Sequence, residues 1–358
     1  MINNTYIHIP FCKSRCKYCS FISYTDLHLK EQYLVSLIRE IKKSYKGEVL
    51  NTLYFGGGTP SILSPNDFCQ LINLFNTDDN TEITVELNPE TITTEYLKSL
   101  KSIGINRLSF GCQTFNDDIL KFIGRRHNAK DVENAVNCAK LANFKNISLD
   151  FIYGLPNQTV EMFEADLIRA IKLDVRHISL YGLKIDTNCY FAKNMPNDLP
   201  DDDTQADMYL KAIEVLEKNG FEHYEISNFS KNGFNSRHNL NYWNNNSYYG
   251  FGCGAHGYAN GERYFNSTDL EEYINGNKRT SHKLSKQEQL EEEIFLGLRK
   301  SSGIDIENIN KKFDIDFYAR YAEILKKYWG YFVCTQQRIR LNNEGILISN
   351  VILSEFLQ

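Results

Sequence analysis

No stretch of this chain approaches the roughly 18 continuous apolar residues of a membrane-spanning helix, so a helical span is excluded as its organising feature. The first residues, Met1-Ile2-Asn3-Asn4, lack the charged-then-apolar pattern of a secretory leader. Nine cysteines, an odd number in a long chain, make a poor disulfide framework, and a reducing, cytoplasmic compartment is the expectation. Nor is there an excess of positive charge: 40 Lys and Arg stand against 45 Asp and Glu, a net charge of -5. That balance argues against broad nucleic-acid binding, while leaving room for a local basic patch or peripheral contact with a membrane. Internal repeats and low-complexity tracts are absent as well. What is present is a globular composition, 42% hydrophobic and 13% aromatic, in 358 residues that can bury one large core and a smaller one.

The most informative absence is local. Cys12, Cys16 and Cys19 form Cys-x3-Cys-x2-Cys near the start of the chain, and no fourth cysteine lies nearby to complete the set. A structural metal site is closed by four protein ligands, whereas a site built for chemistry keeps a coordination position open. Thiolates are the usual ligands of iron-sulfur clusters, so three on one short loop can hold three corners of a 4Fe-4S cube and leave the fourth iron open to a small molecule. Zinc with His8 as fourth ligand is the competing reading. Against it, His8 falls in the alternating run Tyr6-Ile7-His8-Ile9, which reads as a strand entering the loop.

Along the chain, short alternating or apolar runs trade places with helical patterns. Strands are expected at 6–9, 52–55, 83–87, 107–110, 147–152 and 177–181. Between the first two, Tyr33, Leu34, Leu37, Ile38, Ile41 and Tyr45 recur at helical spacing. A later helix around 204–219 carries Tyr209, Ile213 and Leu216 on one face and ends at Asn219-Gly220, a left-handed cap. Such alternation implies a parallel sheet, and six strands suit a full or partial barrel whose site lies at the C-terminal strand ends. The chemically distinctive residues fall there: the cysteine loop after the first strand, Gly56-Gly57-Gly58-Thr59-Pro60 after the second, Glu86 near the end of the third, Gln113 just after the fourth, Asp150 in the fifth. A glycine run lets the backbone approach a ligand and offer N–H and C=O groups to an ammonium or carboxylate, although taken alone it is also a way to end a strand.

The triad, with Tyr18 beside its third cysteine, and the glycine run resemble the two signature motifs of the radical S-adenosylmethionine family. The resemblance implies a 4Fe-4S cluster on Cys12, Cys16 and Cys19 whose open iron takes the amino and carboxylate groups of S-adenosylmethionine. One-electron reduction then cleaves the sulfonium to a 5'-deoxyadenosyl radical. The implied fold is α/β, a partial (β/α)6-type radical SAM barrel with a small C-terminal helical, winged-helix-like domain.

A narrower resemblance covers nearly the whole chain and is to the group of oxygen-independent coproporphyrinogen III oxidases and heme chaperones. It rests on His8-Ile9-Pro10-Phe11-Cys12, Glu86-Leu87-Asn88-Pro89, Arg107-Leu108-Ser109-Phe110-Gly111-Cys112-Gln113, Gly124-Arg125-Arg126-His127, Asp150-Phe151-Ile152-Tyr153-Gly154-Leu155-Pro156, Tyr224-Glu225-Ile226-Ser227-Asn228-Phe229 and His238-Asn239-Leu240-Asn241-Tyr242-Trp243. By position it assigns S-adenosylmethionine contacts to Tyr6, Tyr18, Gly57, Gly58, Thr59, Glu86, Gln113, Arg125 and Asp150. A guanidinium at Arg125 suits bidentate pairing with the methionine carboxylate. Glu86 suits an ammonium or hydroxyl, and Gln113 and Asp150 suit ribose hydroxyls. Each has a bland counterpart as an ion-pair or capping residue.

Departures separate the two members of the group. The oxidase would carry a further cysteine two residues after the third, where this sequence has Phe21, and a long N-terminal extension, where it has eleven residues before Cys12. Both point to the heme-chaperone branch: binding of heme and its delivery to hemoprotein acceptors is the expected function, with oxidative decarboxylation of coproporphyrinogen III as the alternative. His238, in His-Asn-x-x-Tyr-Trp, is the candidate heme ligand, although a histidine beside aromatics is more often a hydrogen-bonded core residue. An electron donor is a further expected partner, as are peripheral association with the inner face of the membrane and a homodimer. Cys69, Cys112, Cys138, Cys189, Cys253 and Cys334 form no paired motif for an auxiliary cluster, which weakens a synthase or methyltransferase reading.

Gly252-Cys253-Gly254-Ala255-His256-Gly257 fits the dinucleotide pattern G-x-G-x-x-G, yet Asn260-Gly261 follows between short apolar runs and signals a hairpin rather than the required helix. In the resembling family this segment lies toward the substrate side, so backbone approach to a ligand is an open expectation. The domains expected are 1–276 for the barrel and its extension, a polar, lysine-rich linker at 277–289, and 290–358 for a C-terminal unit. That unit holds a helix at 290–298, two later helices and a two-stranded wing at 338–348.

Overall fold

Strand alternation builds the main sheet. The computed structural model describes residues 1–276 and 278–357. In β1 (Asn4–Ile9), β2 (Thr52–Gly57), β3 (Glu82–Leu87), β4 (Arg107–Gln113), β5 (Asn146–Tyr153) and β6 (His177–Gly182), alternate residues are mostly apolar and buried: Ile7, Ile9, Leu53, Phe55, Ile83, Val85, Leu108, Phe110, Ile147, Leu149, Ile178, Leu180. The intervening residues are mostly polar, among them Tyr6, Tyr54, Glu86, Ser109, Asp150 and Ser179. All six strands are parallel and each pairs with the next in chain order. The crossovers carry α1 (Lys30–Ser44), α2 (Pro65–Ile72), α3 (Thr94–Ser102), α4 (Asp117–Phe122), α5 (Ala129–Leu141) and α6 (Val160–Lys172). Leu37, Phe68, Leu97, Val136 and Phe163 from these helices cover the apolar face and complete the large core. Side chains from β1 and β6, Tyr6 and Tyr181, line one cavity, so the polar face is the concave one.

The sheet stays open. After α7 (Tyr190–Lys193) and α8 (Asp202–Lys218), β7 (Glu222–Glu225) and β8 (Asn228–Ser230) add antiparallel strands beyond β6. α9 (Arg237–Trp243) then leads to β9 (Tyr249–Phe251), which pairs parallel with β1 at the other edge. Nine strands thus form this sheet among the described residues, with the six parallel strands of a partial (β/α)6-type barrel at its centre. α8 is capped by Asp201 and released at Gly220, whose φ of +73° is the left-handed turn read at Asn219-Gly220.

A smaller sheet of β10 (His256–Ala259), β11 (Glu262–Asn266) and β12 (Arg279–Lys283) follows, with α10 (Leu270–Asn275) between its last two strands. Asn260 and Gly261, at φ +53° and +71°, make the tight turn that the Asn-Gly pair announced. Here the sequence reading needs correction. The segment expected as a linker is the edge strand β12 followed by the capped start of α11 (Lys286–Gly297), whose Ser285 and Glu288 form a capping box. Its first residue, Asn277, lies outside the described residues. Every residue of β12 is exposed, so no apolar alternation marks it, and its charges suit an unpaired edge.

The C-terminal unit consists of α11, β13 (Ile304–Asp305), α12 (Ile306–Phe313), α13 (Phe317–Arg320), α14 (Ala322–Lys327), β14 (Phe332–Cys334), β15 (Arg338–Leu341), α15 (Asn343–Leu347) and α16 (Ser349–Ser354) around a second core that includes Ile294, Phe317, Tyr321, Ile339 and Phe356. The expected wing is also corrected. Only its first half is a strand, and this pairs backward to β14. Asn342 accepts from the Gly345 N–H and starts a helix where the apolar alternation reads as a second strand. Backbone bonds from Ile226 N–H to Arg299 O (2.9 Å) and from Ser301 N–H to Tyr224 O (3.2 Å) join this unit to the barrel. Among the described residues no helix is long and apolar enough to cross a membrane.

Glu40 on α1 ties the small sheet to the barrel, accepting from Arg279 Nη2 (2.9 Å), Tyr273 Oη (2.6 Å) and the Gly252 N–H (3.0 Å). Glu40 is buried, and truncating it removes the acceptor of the buried Tyr273 hydroxyl and Gly252 N–H. Glu40→Ala is expected to cost about 2–3 kcal/mol in urea unfolding; an unchanged midpoint would show that this tie carries no stability.

Candidate functional site

At the C-terminal ends of the strands lies a cavity of about 430 Å³ whose lining includes Cys12, Cys16 and Cys19. It also takes in Tyr6, Tyr18, Gly57, Gly58, Thr59, Glu86, Gln113, Arg125 and Asp150. The cysteine loop is tethered at its base by Cys12 N–H to Tyr24 O (3.0 Å) and Tyr24 N–H to Pro10 O (2.8 Å). At its middle Lys17 N–H bonds Ile123 O (2.9 Å). The glycine run lies directly against it: a Cβ on Gly58 would stand 2.7 Å from Phe11 O and 2.9 Å from Cys12 Sγ. Gly57, at φ +122°, holds a conformation that residues with side chains rarely adopt.

This arrangement fits a cluster better than a single ion. Cys12, Cys16 and Cys19 line one space, and a 4Fe-4S cube takes one thiolate for each of three irons. Burial pushes the Cys19 thiol up to about 11, with repulsion from Cys16 and Cys12 adding to it. Thiols held in this way are drawn to the thiolate by a bound metal centre. His8 is not a fourth ligand. Its Nδ1 bonds Tyr6 Oη (2.9 Å) and its Nε2 bonds Ile22 O (2.9 Å), so both ring nitrogens hold the strand and loop together. The zinc alternative is set aside on that geometry.

The acidic wall is built from neighbouring strands. Glu86 accepts from Tyr54 Oη (2.7 Å) and the Gly57 N–H (3.2 Å). Burial nevertheless raises its pKa to about 7, with help from the Asp150 charge. Asp150 accepts one bifurcated bond from the single Ser109 O–H (2.9 and 3.0 Å) and one from Ser148 Oγ (3.2 Å), while burial pushes its pKa upward. Gln113 sits where the β4–β5 register slips, at φ +70°, an irregularity that redirects its side chain into the cavity. Gly111 makes room for it, since a Cβ there would lie 2.8 Å from Gln113 Nε2.

Arg125, which also lines the cavity, is held on nearly every side. Its Nη2 donates to Gly111 O (2.8 Å) and Asn88 Oδ1 (2.9 Å), its Nε to His127 Nδ1 (3.3 Å) and its Nη1 to Cys16 Sγ (3.6 Å). His127 Nε2 bonds Cys112 O (3.0 Å), which can only accept, so Nδ1 carries the lone pair that receives Arg125. A guanidinium has five N–H donors, and this leaves one of them uncommitted. The two-pronged clamp on a carboxylate expected of Arg125 is therefore not available without breaking an existing bond.

Two further expectations are corrected. His238 lies at the N-terminal end of the strands, 1% exposed and outside the cavity. Its Nδ1 bonds Thr52 Oγ1 (2.7 Å), its Nε2 bonds Tyr242 Oη (2.8 Å), and its ring stacks on Tyr54 at 4.8 Å. With both nitrogens occupied, it has no lone pair to offer heme iron. The glycines of 252–257 open the β10–β11 hairpin and no helix follows. A Cβ on Gly252 would meet His8 O and Tyr33 Oη, and one on Gly254 would meet Ile22. Their close approach is to β1 and the cysteine loop, not to the cavity.

The sequence reading missed the residues that hold these groups: Tyr54, Asn88, Ser109, Ser148 and His127. A strand period of two carried a signal, since Ser148 precedes Asp150 and Tyr54 precedes Gly56 on the same face. Their pairings across strands were not visible from one strand alone.

The raised pKa of Glu86 has a pH signature. Its folded value of about 7 lies above the ordinary 4.5, so the folded chain holds this proton more tightly than the unfolded one. The stabilising contribution is full below about 4.5 and is lost as pH rises through 7. Glu86→Gln, neutral throughout, is expected to gain stability relative to the native chain across that window in ligand-free urea titrations. Parallel profiles for the two proteins would contradict this.

Comparison with known proteins agrees with the geometry. Residues 6–170 match the Radical SAM superfamily and residues 284–348 the HemN C-terminal domain. The chain is 39% identical to heme chaperone HemW of Lactococcus lactis, over 99% of this chain and 97% of that one. It is 38% identical to heme chaperone HemW of Bacillus subtilis, over 99% of both. Among solved structures, coproporphyrinogen III oxidase (HemN) from Escherichia coli superimposes with a TM-score of 0.87 over 100% of this chain and 90% of that one, at 23% identity, a likeness of fold. On the near-complete match to its relatives, the chain belongs to the HemW family of radical SAM proteins.

Proposed function

We propose that this chain is a heme chaperone, binding heme and handing it to hemoproteins, with a 4Fe-4S cluster on Cys12, Cys16 and Cys19 and S-adenosylmethionine in the adjoining cavity. The observation that carries this reading is identity of 39% to a named heme chaperone along virtually the whole chain. The cavity supports the cofactor assignment, because three thiols, a glycine run and side chains of opposite charge face one space. When bound, the cluster and S-adenosylmethionine supply one-electron chemistry at the sulfonium. The chain's own residues do the placing. Gly57 and Gly58 admit the ligand to the backbone, and Glu86 offers a carboxylate to an ammonium. Tyr6, Tyr18, Gln113 and Asp150 line the remainder, Thr59 stands beside Cys12, and Arg125 keeps one N–H for a carboxylate oxygen. Phe21, 66% exposed at the cavity's edge, occupies the place where the oxidase would carry a cysteine.

The rest of the reading follows from that role. A reduced donor protein supplies the electron, and the chain works in the cytoplasm with peripheral contact at the inner face of the membrane. A homodimer is the proposed assembly. We place two units in it, a barrel unit running through β12 and a C-terminal unit from α11 onward.

Anaerobically reconstituted protein separates this function from the oxidase alternative. It is expected to bind heme and pass it to an apo-hemoprotein without converting coproporphyrinogen III; formation of protoporphyrinogen coupled to 5'-deoxyadenosine would overturn the proposal. Cys12→Ala, Cys16→Ala and Cys19→Ala should each abolish stable cluster assembly, and normal cluster absorbance in all three would sink that assignment. His238→Ala should leave heme affinity unchanged but lower stability by about 1–3 kcal/mol, because Thr52 and Tyr242 each lose a buried partner. Loss of heme binding in a stable His238→Ala protein would restore His238 as a ligand.

A further inference from the structure

We infer that Arg125, Asn88 and Thr59 form one hydrogen-bonded arc that presents donors to two of the three cluster thiolates and thereby sets the cluster's reduction potential before S-adenosylmethionine binds. The inference rests on the cluster assignment above and adds a role to residues otherwise counted as ligand contacts.

The arc is continuous. At one end Arg125 Nη1 donates to Cys16 Sγ at 3.6 Å. Arg125 Nη2 donates to Asn88 Oδ1 at 2.9 Å, and the amide of Asn88 donates from Nδ2 to Thr59 Oγ1 at 3.1 Å. Thr59 Oγ1 then meets Cys12 Sγ at 3.3 Å. Directions follow from chemistry. A guanidinium only donates, so Asn88 must turn its oxygen to Arg125 and its nitrogen to Thr59. Thr59 Oγ1 receives that N–H and keeps its own proton for Cys12 Sγ, which accepts once it is a thiolate.

The surroundings hold the arc in place. The bonds to His127 and Gly111 O prevent Arg125 from rotating away. Gly111 leaves room here, since a Cβ would lie 3.2 Å from Arg125 Nη2. The adjacent Arg126 has a different setting, half-exposed and 3.9 Å from Glu90 Oε1. Reduction adds negative charge to a cluster, and hydrogen bonds and a cation at its sulfurs favour the more negative state, so they raise the potential. A buried, low-dielectric setting makes each contact count for more than it would in water.

The test is a redox titration of the reconstituted cluster, followed by electron paramagnetic resonance, without S-adenosylmethionine. Thr59→Val, Asn88→Ala and Arg125→Gln are each expected to shift the midpoint to more negative potential, and Arg125→Lys, which keeps charge but loses the fork, to a lesser extent. The Asn88 variant is the most informative, because Asn88 touches neither sulfur. Native midpoints in Thr59→Val and Asn88→Ala, with full iron and sulfide content, would overturn the inference even if Arg125→Gln failed to assemble. Absence of a cluster in the native chain would instead overturn the cluster assignment.

Discussion

Most polar groups on the concave face of the sheet find a partner within the fold, Thr84 Oγ1 and Arg107 Nε being exceptions, and this pairing shapes the rest of the molecule. Parallel sheets are usually apolar on both faces. Here one face is apolar and sealed by helices, while the other carries carboxylates, hydroxyls and histidines that are largely withdrawn from water. The partners come from adjacent strands: Tyr54 for Glu86, Ser109 and Ser148 for Asp150, and Thr52 for Asn4. Where the strands begin, α9 supplies them, its Arg237 and His238 N–H groups donating to Glu82 (3.2 and 3.1 Å). The histidine that resembles a heme ligand is, in this setting, a plug in the floor of the barrel.

The same rule explains the electrostatics of the cavity. Glu86 and Asp150 accept from neutral donors, and burial keeps their pKa values raised even though the Arg107 guanidinium pulls both downward. In the same cavity, Arg125 spends its donors on backbone, amide, imidazole and sulfur. A ligand carrying both an ammonium and a carboxylate meets protonatable acids and a fixed cation within one space. The cysteine loop, the glycine run and Arg125 come from three separate crossovers, and the hydrogen bonds among them make those connections one unit.

Much of the architecture was readable from the chain. All six parallel strands stood out because a strand period of two leaves a plain mark when one face is apolar. The Cys-x3-Cys-x2-Cys spacing and the Gly56–Gly58 run were readable because they encode local chemistry, and their residues face one cavity in the structure. Failures fell where neighbouring structure overrides pattern. β12 is exposed on both faces and so resembles a linker. The stretch after Leu341 alternates like a strand, but an Asn cap turns it into a helix. His8 and His238 carry the right chemistry for metal binding and are spent instead on hydrogen bonds to residues far away in sequence.

Sequence alone therefore determined the fold class, the family and the residue types available for chemistry, since these depend on local period, spacing and side-chain identity. Tertiary structure alone decided which of those residues are free to act. Arg125 has one N–H left and His238 has no lone pair left, because each is bonded to groups that only the folded chain brings to it.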